Sequence, residues 1–279
     1  MMNAIEVKNL NKSYKDFRLE SVSFSLPCGC IMGLVGENGA GKSTTIKAML
    51  NLIKKDSGEI RLLGKNYTKC SMEDIGIVTE DIGLPESLNA SEMNKIFKNI
   101  YKSWDKELYF YYLKEFNIPI DKKIKAFSKG MKMKLYISIA LAHDAKLLIL
   151  DEATSGLDPV MRDEILEIFY DFTRDENHSI LISSHIVSDL EKVCDYIAFM
   201  NKGRLILCEE KDELLNNYRL IQCDEKTLDS IDKASVLSIR KTNYGINAVI
   251  EKNAVTDKMN AQQITLEDLF VYMIRGQKI

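Results

Sequence analysis

Long hydrophobic runs are missing from this 279-residue chain. Its longest apolar stretches, Leu135–Ala142 and Lys146–Leu150, are far shorter than the roughly 20 residues that a membrane-spanning helix needs. Residues 1–16 carry charges early and lack the architecture of a signal peptide. We therefore expect a cytoplasmic protein, in which any membrane role comes through a partner.

An excess of positive charge is also missing, since 38 Lys and Arg stand against 41 Asp and Glu, for a net charge of −3. No nucleic-acid partner is therefore expected. The six cysteines are scattered, and Cys28 and Cys30 form a C-x-C pair that no second pair or histidine cluster completes into a zinc site. Reduced thiols are the expectation.

One short segment, residues 36–44, carries the most specific information in the chain. An apolar run, Ile31–Val35, leads into it, and an amphipathic stretch, Thr44–Ile53, follows it. The segment matches the phosphate-loop pattern, in which backbone N–H groups surround a phosphate and Lys42 reaches the β- and γ-phosphates. The Ser43 hydroxyl is placed to bind Mg²⁺. A nucleoside-triphosphate site is therefore predicted at Gly36, Glu37, Asn38, Gly39, Ala40, Gly41, Lys42, Ser43 and Thr44.

The hydrophobic period changes along the chain. Residues 4–26 alternate as half-buried strands, and residues 134–217 alternate between helices and strands. Between them, residues 89–116 place large apolar side chains at helical spacing, which predicts an aromatic-rich helical insert over about 86–135. We expect its rings to pack the core of the insert rather than to bind a ligand.

Shorter signals complete this outline. Asp56–Glu59 is expected to form a turn, and Asn243–Gly245 a hairpin connection. Three short strands after about Tyr218, followed by a helix that Thr265 caps and that ends near Arg275, predict a small α+β module.

Two carboxylates follow a buried strand. Lys146–Leu150 ends at Asp151 and Glu152, and the carboxyl end of a strand in such a sheet lies beside the phosphate loop. Asp151 suits the role of a second Mg²⁺ partner, and Glu152 that of a general base for the attacking water. The two residues therefore predict a site that hydrolyses its nucleotide.

These ordered motifs resemble the nucleotide-binding subunits of ABC (ATP-binding cassette) transporters, from about Ile5 to Tyr218. The resemblance implies an α/β fold with a phosphate-loop NTPase core of ABC ATPase type, an antiparallel β subdomain and the helical insert. It implies an ATPase domain over residues 1–218 and an accessory C-terminal module over 219–279, with ATP and Mg²⁺ as cofactors.

The resemblance also assigns roles to single residues. Tyr14 stands where the family stacks an aromatic ring on adenine, with Phe17 as a nearby competitor. Ser128 and Gly130 match the signature segment that contacts the γ-phosphate held by the other subunit. His185 matches the switch histidine, which contacts the γ-phosphate and joins Lys42 and Glu152 in catalysis.

Two departures from the family pattern stand out. The signature Leu-Ser-Gly-Gly-Gln reads Phe127-Ser128-Lys129-Gly130-Met131 here, so the phosphate-facing pair is kept. Where the family has a glutamine that contacts Mg²⁺ and the attacking water, this chain has Glu80. We expect this carboxylate to alter the Mg²⁺ dependence or to lower the turnover rate.

The resemblance implies a mechanism in which ATP joins two subunits head to tail, as a homodimer or as a heterodimer with another ABC ATPase subunit. Closure would drive a separate transmembrane transport subunit at the inner face of the cell membrane, through the groove beside Glu80 and the helical insert. The short chain and its signature resemble bacterial exporters of peptides, lipids or antibiotics.

Two alternatives to a transport ATPase stay open at this point. One is a soluble ABC ATPase without a transport partner, although residues 54–127 are too short for the coiled coil of repair ATPases. The other is a non-hydrolysing regulatory subunit, against which Glu152 and His185 count.

Overall fold

Three β-sheets and nine helices make up the computed structural model, as far as it describes the chain, over residues 2–70, 72–79, 83–242, 245–256 and 259–277. The strands in chain order are β1 (Asn3–Ser13), β2 (Arg18–Pro27), β3 (Ile31–Val35), β4 (Ser57–Leu62), β5 (Lys65–Asn66), β6 (Ile75–Val78), β7 (Leu147–Asp151), β8 (Ser179–Ser184), β9 (Tyr196–Asn201), β10 (Arg204–Glu210), β11 (Tyr218–Cys223), β12 (Val236–Thr242), β13 (Gly245–Glu251) and β14 (Ala261–Gln263). The helices are α1 (Lys42–Met49), α2 (Ala90–Ile100), α3 (Lys106–Glu115), α4 (Lys129–Leu141), α5 (Pro159–Phe172), α6 (Val187–Val193), α7 (Lys211–Asn217), α8 (Glu225–Asp229) and α9 (Leu266–Arg275).

The central sheet has six strands in the order β10-β9-β3-β8-β7-β6. All neighbours in it pair in parallel except β10, which pairs antiparallel with β9. Alternate side chains of β3 enter two different cores, with Ile31 and Val35 in one and Met32 and Leu34 in the other. This two-faced burial explains why the strand reads as a continuous apolar run. Parallel pairing of β3, β7 and β8 brings their carboxyl ends to one edge of the sheet.

The antiparallel subdomain is the sheet β2-β1-β4-β5. Here the predicted turn at Asp56–Glu59 is wrong in part, because β4 begins at Ser57 and pairs with β1. Gly58 has a φ of 97°, and a Cβ on it would lie 2.4 Å from the Asn9 carbonyl oxygen. Glycine is therefore required at position 58 because the backbones of β4 and β1 approach closely there, and it also permits the bend that its residue type predicted.

The helical insert contains α2 and α3, and its aromatic side chains pack together as predicted. Phe97 stacks on Trp104 with ring centroids 5.4 Å apart, and Tyr101 stacks on His143 at 4.0 Å. The hydroxyl of the fully buried Tyr109 donates to the Ala90 carbonyl oxygen over 3.0 Å. The Tyr101–His143 stack joins the insert to the rest of the chain, because His143 follows α4.

The C-terminal residues form the sheet β12-β13-β11-β14 with a small core of its own. Thr265 caps α9 by accepting from the Asp268 N–H, as predicted. The expected hairpin residues Asn243 and Tyr244 lie outside the described residues. Helix α9 packs on the main core as well as on the small one, since Leu266, Leu269 and Tyr272 belong to the main apolar cluster. Of the helices described, none is both long enough and apolar enough to cross a membrane.

Candidate nucleotide site

The predicted phosphate loop lies between β3 and α1, as the sequence indicated. Gly39 and Gly41 have φ values of 80° and 112°, which glycine adopts without strain. A Cβ on Gly36 would lie 2.7 Å from the Met200 carbonyl oxygen and 2.8 Å from Ala40 Cβ. Glycine is therefore required at the first position by the close packing of the loop against β9.

Lys42 is the buried cation of the loop, with only 5% of its surface exposed. Its ammonium donates to the Gly36 carbonyl oxygen over 2.7 Å and lies 3.2 Å from Glu152 Oε1. The lysine thus pairs with the predicted general base. A phosphate that enters the loop has to exchange this ion pair for its own contact with Lys42.

Asp151 and Glu152 stand at the end of β7, and one neighbouring hydroxyl contacts both. Ser183 Oγ, on β8, donates to Asp151 Oδ1 over 2.5 Å and accepts from the Glu152 N–H over 3.1 Å. The Glu152 N–H also lies 3.1 Å from the Ser183 carbonyl oxygen. These bonds hold Glu152 at a φ of 55°, a conformation that is costly for a non-glycine residue and that recurs at functional sites.

His185 follows the end of β8 and joins the same network. Its Nδ1 lies 2.6 Å from Glu152 Oε2, and 44% of its side chain is exposed. An ionised carboxylate only accepts hydrogen bonds, so the contact assigns the donor role to Nδ1 and leaves Nε2 as the ring atom available to a ligand. Lys42, Glu152 and His185, predicted from three distant segments, are brought together, and a base beside a phosphate site suits hydrolysis by water.

A cleft of about 430 Å³ opens above the phosphate loop. Its lining, among the described residues, consists of Phe17, the stretch 37–44 and Glu152. Phe17 Cζ would contact a Cβ on Gly41 at 3.1 Å. Tyr14 is 49% exposed and lies beneath the Lys12 ammonium, 5.2 Å from its ring centroid. Phe17 is therefore the aromatic ring at the cleft, and adenine stacking by Tyr14 stays a prediction.

Ser128 and Gly130 lie apart from this lining, at the start of α4. Ser128 is exposed and caps the helix by accepting from the Met131 N–H over 3.2 Å. A Cβ on Gly130 would meet Met161 Sδ at 3.3 Å and Leu157 Cδ2 at 3.4 Å. The predicted signature segment thus packs beside the start of α5 in its own chain and leaves the serine hydroxyl at the surface.

The predicted magnesium ligands are in part outside the described structure, because Glu80 is not among the described residues. Within the part that is described, no group of three or more His, Cys, Asp or Glu side chains could hold a metal ion. Asp151 is 8% exposed and Ser43 lies in the first turn of α1. One carboxylate and one hydroxyl fit Mg²⁺, which is usually held by few protein oxygens together with phosphates.

Two residues of the site were missed by the sequence analysis. Ser183 precedes the predicted Ser184-His185 pair, and its place on a strand beside the acidic strand could have suggested it. Arg275 Nη2 lies 2.7 Å from Glu37 Oε1, although the two residues are 238 positions apart. No sequence motif points to that contact.

Comparison with known proteins agrees with this geometry. A family described as ABC transporter matches residues 19–155. The lantibiotic transport ATP-binding protein SrtF of Streptococcus pyogenes is 38% identical, over 78% of this chain and 98% of that protein. The bacitracin transport ATP-binding protein BcrA of Bacillus licheniformis is 35% identical, over 74% of this chain and 69% of that protein.

A solved structure of an ATP-binding subunit of an ABC transporter shares the fold, with a TM-score of 0.66 and 30% sequence identity. The match covers 76% of this chain and 91% of that one. Sequence, fold and site geometry agree, and the chain belongs to the ABC transporter family as an ATP-binding subunit that hydrolyses ATP.

Proposed function

We propose that two ATPase subunits close head to tail around ATP, with the phosphate loop from one subunit and Ser128 from the other. The observation that carries this proposal is the separation of the two halves within one chain. Lys42, Glu152 and His185 converge at the cleft, whereas Ser128 is exposed at the start of α4. A second subunit that supplied this serine would complete the ring of contacts around the γ-phosphate.

Within this arrangement the residues have distinct roles. Lys42 leaves Glu152 and binds the β- and γ-phosphates. Glu152 then accepts a proton from the attacking water, and His185 keeps its carboxylate oriented through Nδ1 while Nε2 faces the γ-phosphate. Ser43 and Asp151 would hold Mg²⁺, which neutralises phosphate charge when bound. Ser183 positions the Asp151 carboxylate and the backbone of Glu152.

We further propose that the subunit works with a separate transmembrane transport subunit at the inner face of the cell membrane. The named relatives are transport proteins for a lantibiotic and for bacitracin, so peptide antibiotics are the proposed cargo class. Two exposed apolar side chains support a docking groove near the insert, Met72 (44% exposed) and Ile100 (58% exposed). The two segments that carry these side chains are in contact, since the carboxylate of Glu73, next to Met72, accepts from the N–H of Lys102, two residues after Ile100, over 3.0 Å.

The head-to-tail site is tested by mixing two inactive variants. Lys42→Ala removes the phosphate cation, and Ser128→Asp keeps a helix-capping side chain but sets a negative charge against the γ-phosphate. Each variant alone is expected to be inactive. If the two residues act across a dimer, an equal mixture should regain about a quarter of the wild-type ATPase rate, because half of the dimers contain one intact site.

Ser128→Asn is the matched control, because asparagine has the shape of aspartate and caps a helix without the charge. It is expected to retain most of the ATPase activity. No recovery in the mixture, with dimers present, would contradict a shared site. If this chain pairs only with a different ATPase subunit, the same test is run with Ser128→Asp in one chain and the lysine variant in the other.

The docking groove is tested in the complex with the transport subunit. Ile100→Glu and Met72→Glu should abolish the stimulation of ATP hydrolysis by transport cargo and leave the basal rate of the isolated subunit unchanged. Tyr111→Glu, on α3 of the same insert, is the control for added charge at an exposed ring (54% exposed). Equal loss in all three variants would contradict this assignment.

The role of Glu80 is a separate proposal. We propose that its carboxylate contacts Mg²⁺-bound water and slows turnover relative to the amide of the family. Glu80→Gln is therefore expected to raise the ATPase rate or to shift its Mg²⁺ dependence. An unchanged rate and an unchanged Mg²⁺ curve would rule this role out.

A further inference from the structure

The last turn of the C-terminal helix contacts the phosphate loop. Arg275 Nη2, on α9, donates to Glu37 Oε1 over 2.7 Å. Glu37 is the second residue of the loop and lines the nucleotide cleft. Its backbone carbonyl oxygen also accepts from the Lys42 ammonium over 3.5 Å. The C-terminal module thus brings a guanidinium to the edge of the nucleotide site.

Packing of α9 explains why the arginine lies there. The Phe270 ring on α9 lies 5.1 Å from the Phe199 ring on β9. Phe199 in turn pairs with Val35, the last residue of β3. Because Glu37 follows Val35 by two positions, α9 lies over the strand end that leads into the phosphate loop.

The start of α9 is attached to the element that follows the switch histidine. The Leu266 N–H donates to Glu191 Oε2 over 3.0 Å, and Glu191 is on α6. Helix α6 begins two residues after His185. The core therefore holds α9 at both ends, at α6 through its first residue and at the phosphate loop through Arg275.

The charge of Glu37 gives this contact a consequence for nucleotide binding. A carboxylate in the lining of a phosphate site repels the anionic ligand, and a guanidinium beside it offsets that repulsion. We propose that Arg275 is a positioning residue of the nucleotide site, which neutralises Glu37 and makes the C-terminal module a determinant of nucleotide affinity. This inference rests on the proposed nucleotide site and needs no dimer.

The test is ADP binding by the full-length chain, measured by calorimetric titration, because ADP needs only one subunit. Arg275→Ala is expected to raise the dissociation constant about two- to five-fold, because both side chains of the pair are largely exposed (69% and 49%) and solvent screens their charges. The effect should shrink as the salt concentration increases. Lys241→Ala is the matched control, because it breaks an exposed ion pair with Glu225 in the same module.

The role of Glu37 is tested by a double-mutant cycle. Glu37→Gln removes the repelling charge, so Arg275→Ala in that background should change ADP affinity less than two-fold. An equal loss in both backgrounds, or no loss in the wild-type background, would overturn the proposal. Lys42→Ala serves as the separate check of the nucleotide site itself, because failure of that variant to weaken ADP binding would refute the site rather than the role of Arg275.

Discussion

Replacing Glu152 by glutamine should change the affinity for nucleotide as well as the rate of hydrolysis. The Lys42 ammonium lies 3.2 Å from Glu152 Oε1. A bound phosphate therefore competes with this carboxylate for the ammonium. Glu152→Gln keeps the shape of the side chain and removes its charge. We expect the variant to bind both ADP and ATP more tightly and to lose hydrolysis, by about 10²-fold or more for a general base.

The size of the affinity gain follows from the geometry of the ion pair. Two unit charges 3.2 Å apart attract by about 5 kcal/mol at an effective dielectric constant of 20. Hydration of the separated charges offsets most of this attraction for a pair that is largely buried. We take the net attraction that remains as about 1 kcal/mol. Its removal in Glu152→Gln corresponds to a roughly five-fold lower dissociation constant for the nucleotide.

Comparison of ADP with ATP separates this explanation from a simpler one. Repulsion between Glu152 and the γ-phosphate would affect ATP alone, whereas release of Lys42 should favour both nucleotides. Calorimetric titration of the full chain measures both constants. Glu164→Gln is the control, since Glu164 pairs with Lys134 at 3.5 Å outside the cleft. Unchanged ADP affinity in Glu152→Gln would refute the competition between carboxylate and phosphate.

Three further predictions concern the cleft and the fold. Phe17→Ala is expected to weaken ATP binding about ten-fold and Tyr14→Ala less, because only the first ring lines the cleft; the reverse order in a titration would favour Tyr14 as the adenine platform. Gly36→Ala should lower ATP affinity at least ten-fold and reduce the melting temperature, because its Cβ would lie 2.7 Å from the Met200 carbonyl oxygen; wild-type values for both would contradict that packing. Burial lowers the pKa of His143 below its ordinary 6.5, so the free energy of unfolding should fall as the pH decreases from about 6.5 towards the lowered pKa. Denaturant titrations of His143→Phe should lack this part of the pH dependence.

Local patterns in the sequence predicted the elements that carry the site. The apolar run before the phosphate loop, the buried strand before Asp151 and the strand before His185 all appear as β3, β7 and β8. Parallel strands end at one edge, so the residues that follow them could be expected to meet. The helix that Thr265 caps was likewise predicted, because capping chemistry is local.

Contacts between distant segments could not be predicted in this way. The start of β4 at Ser57 depends on pairing with β1, which overrides the turn tendency of Asp56–Glu59. The Arg275–Glu37 contact could not be predicted either, because it arises from the packing of α9 on β9, two elements that are far apart in the sequence. The choice between Tyr14 and Phe17 depends on how the loop between β1 and β2 folds over Gly41, which no spacing rule encodes.

The single hydroxyl of Ser183 links the Asp151 carboxylate to the backbone of Glu152. Because it donates to Asp151 Oδ1 and accepts from the Glu152 N–H, a displacement of β8 against β7 would act on the Asp151 carboxylate and on the Glu152 backbone together. The Asp151 carboxylate and the backbone at Glu152 are therefore coupled through β8, the strand that His185 follows. Within the proposed mechanism, a movement of His185 that displaced β8 would therefore change the placement of both acidic residues at once.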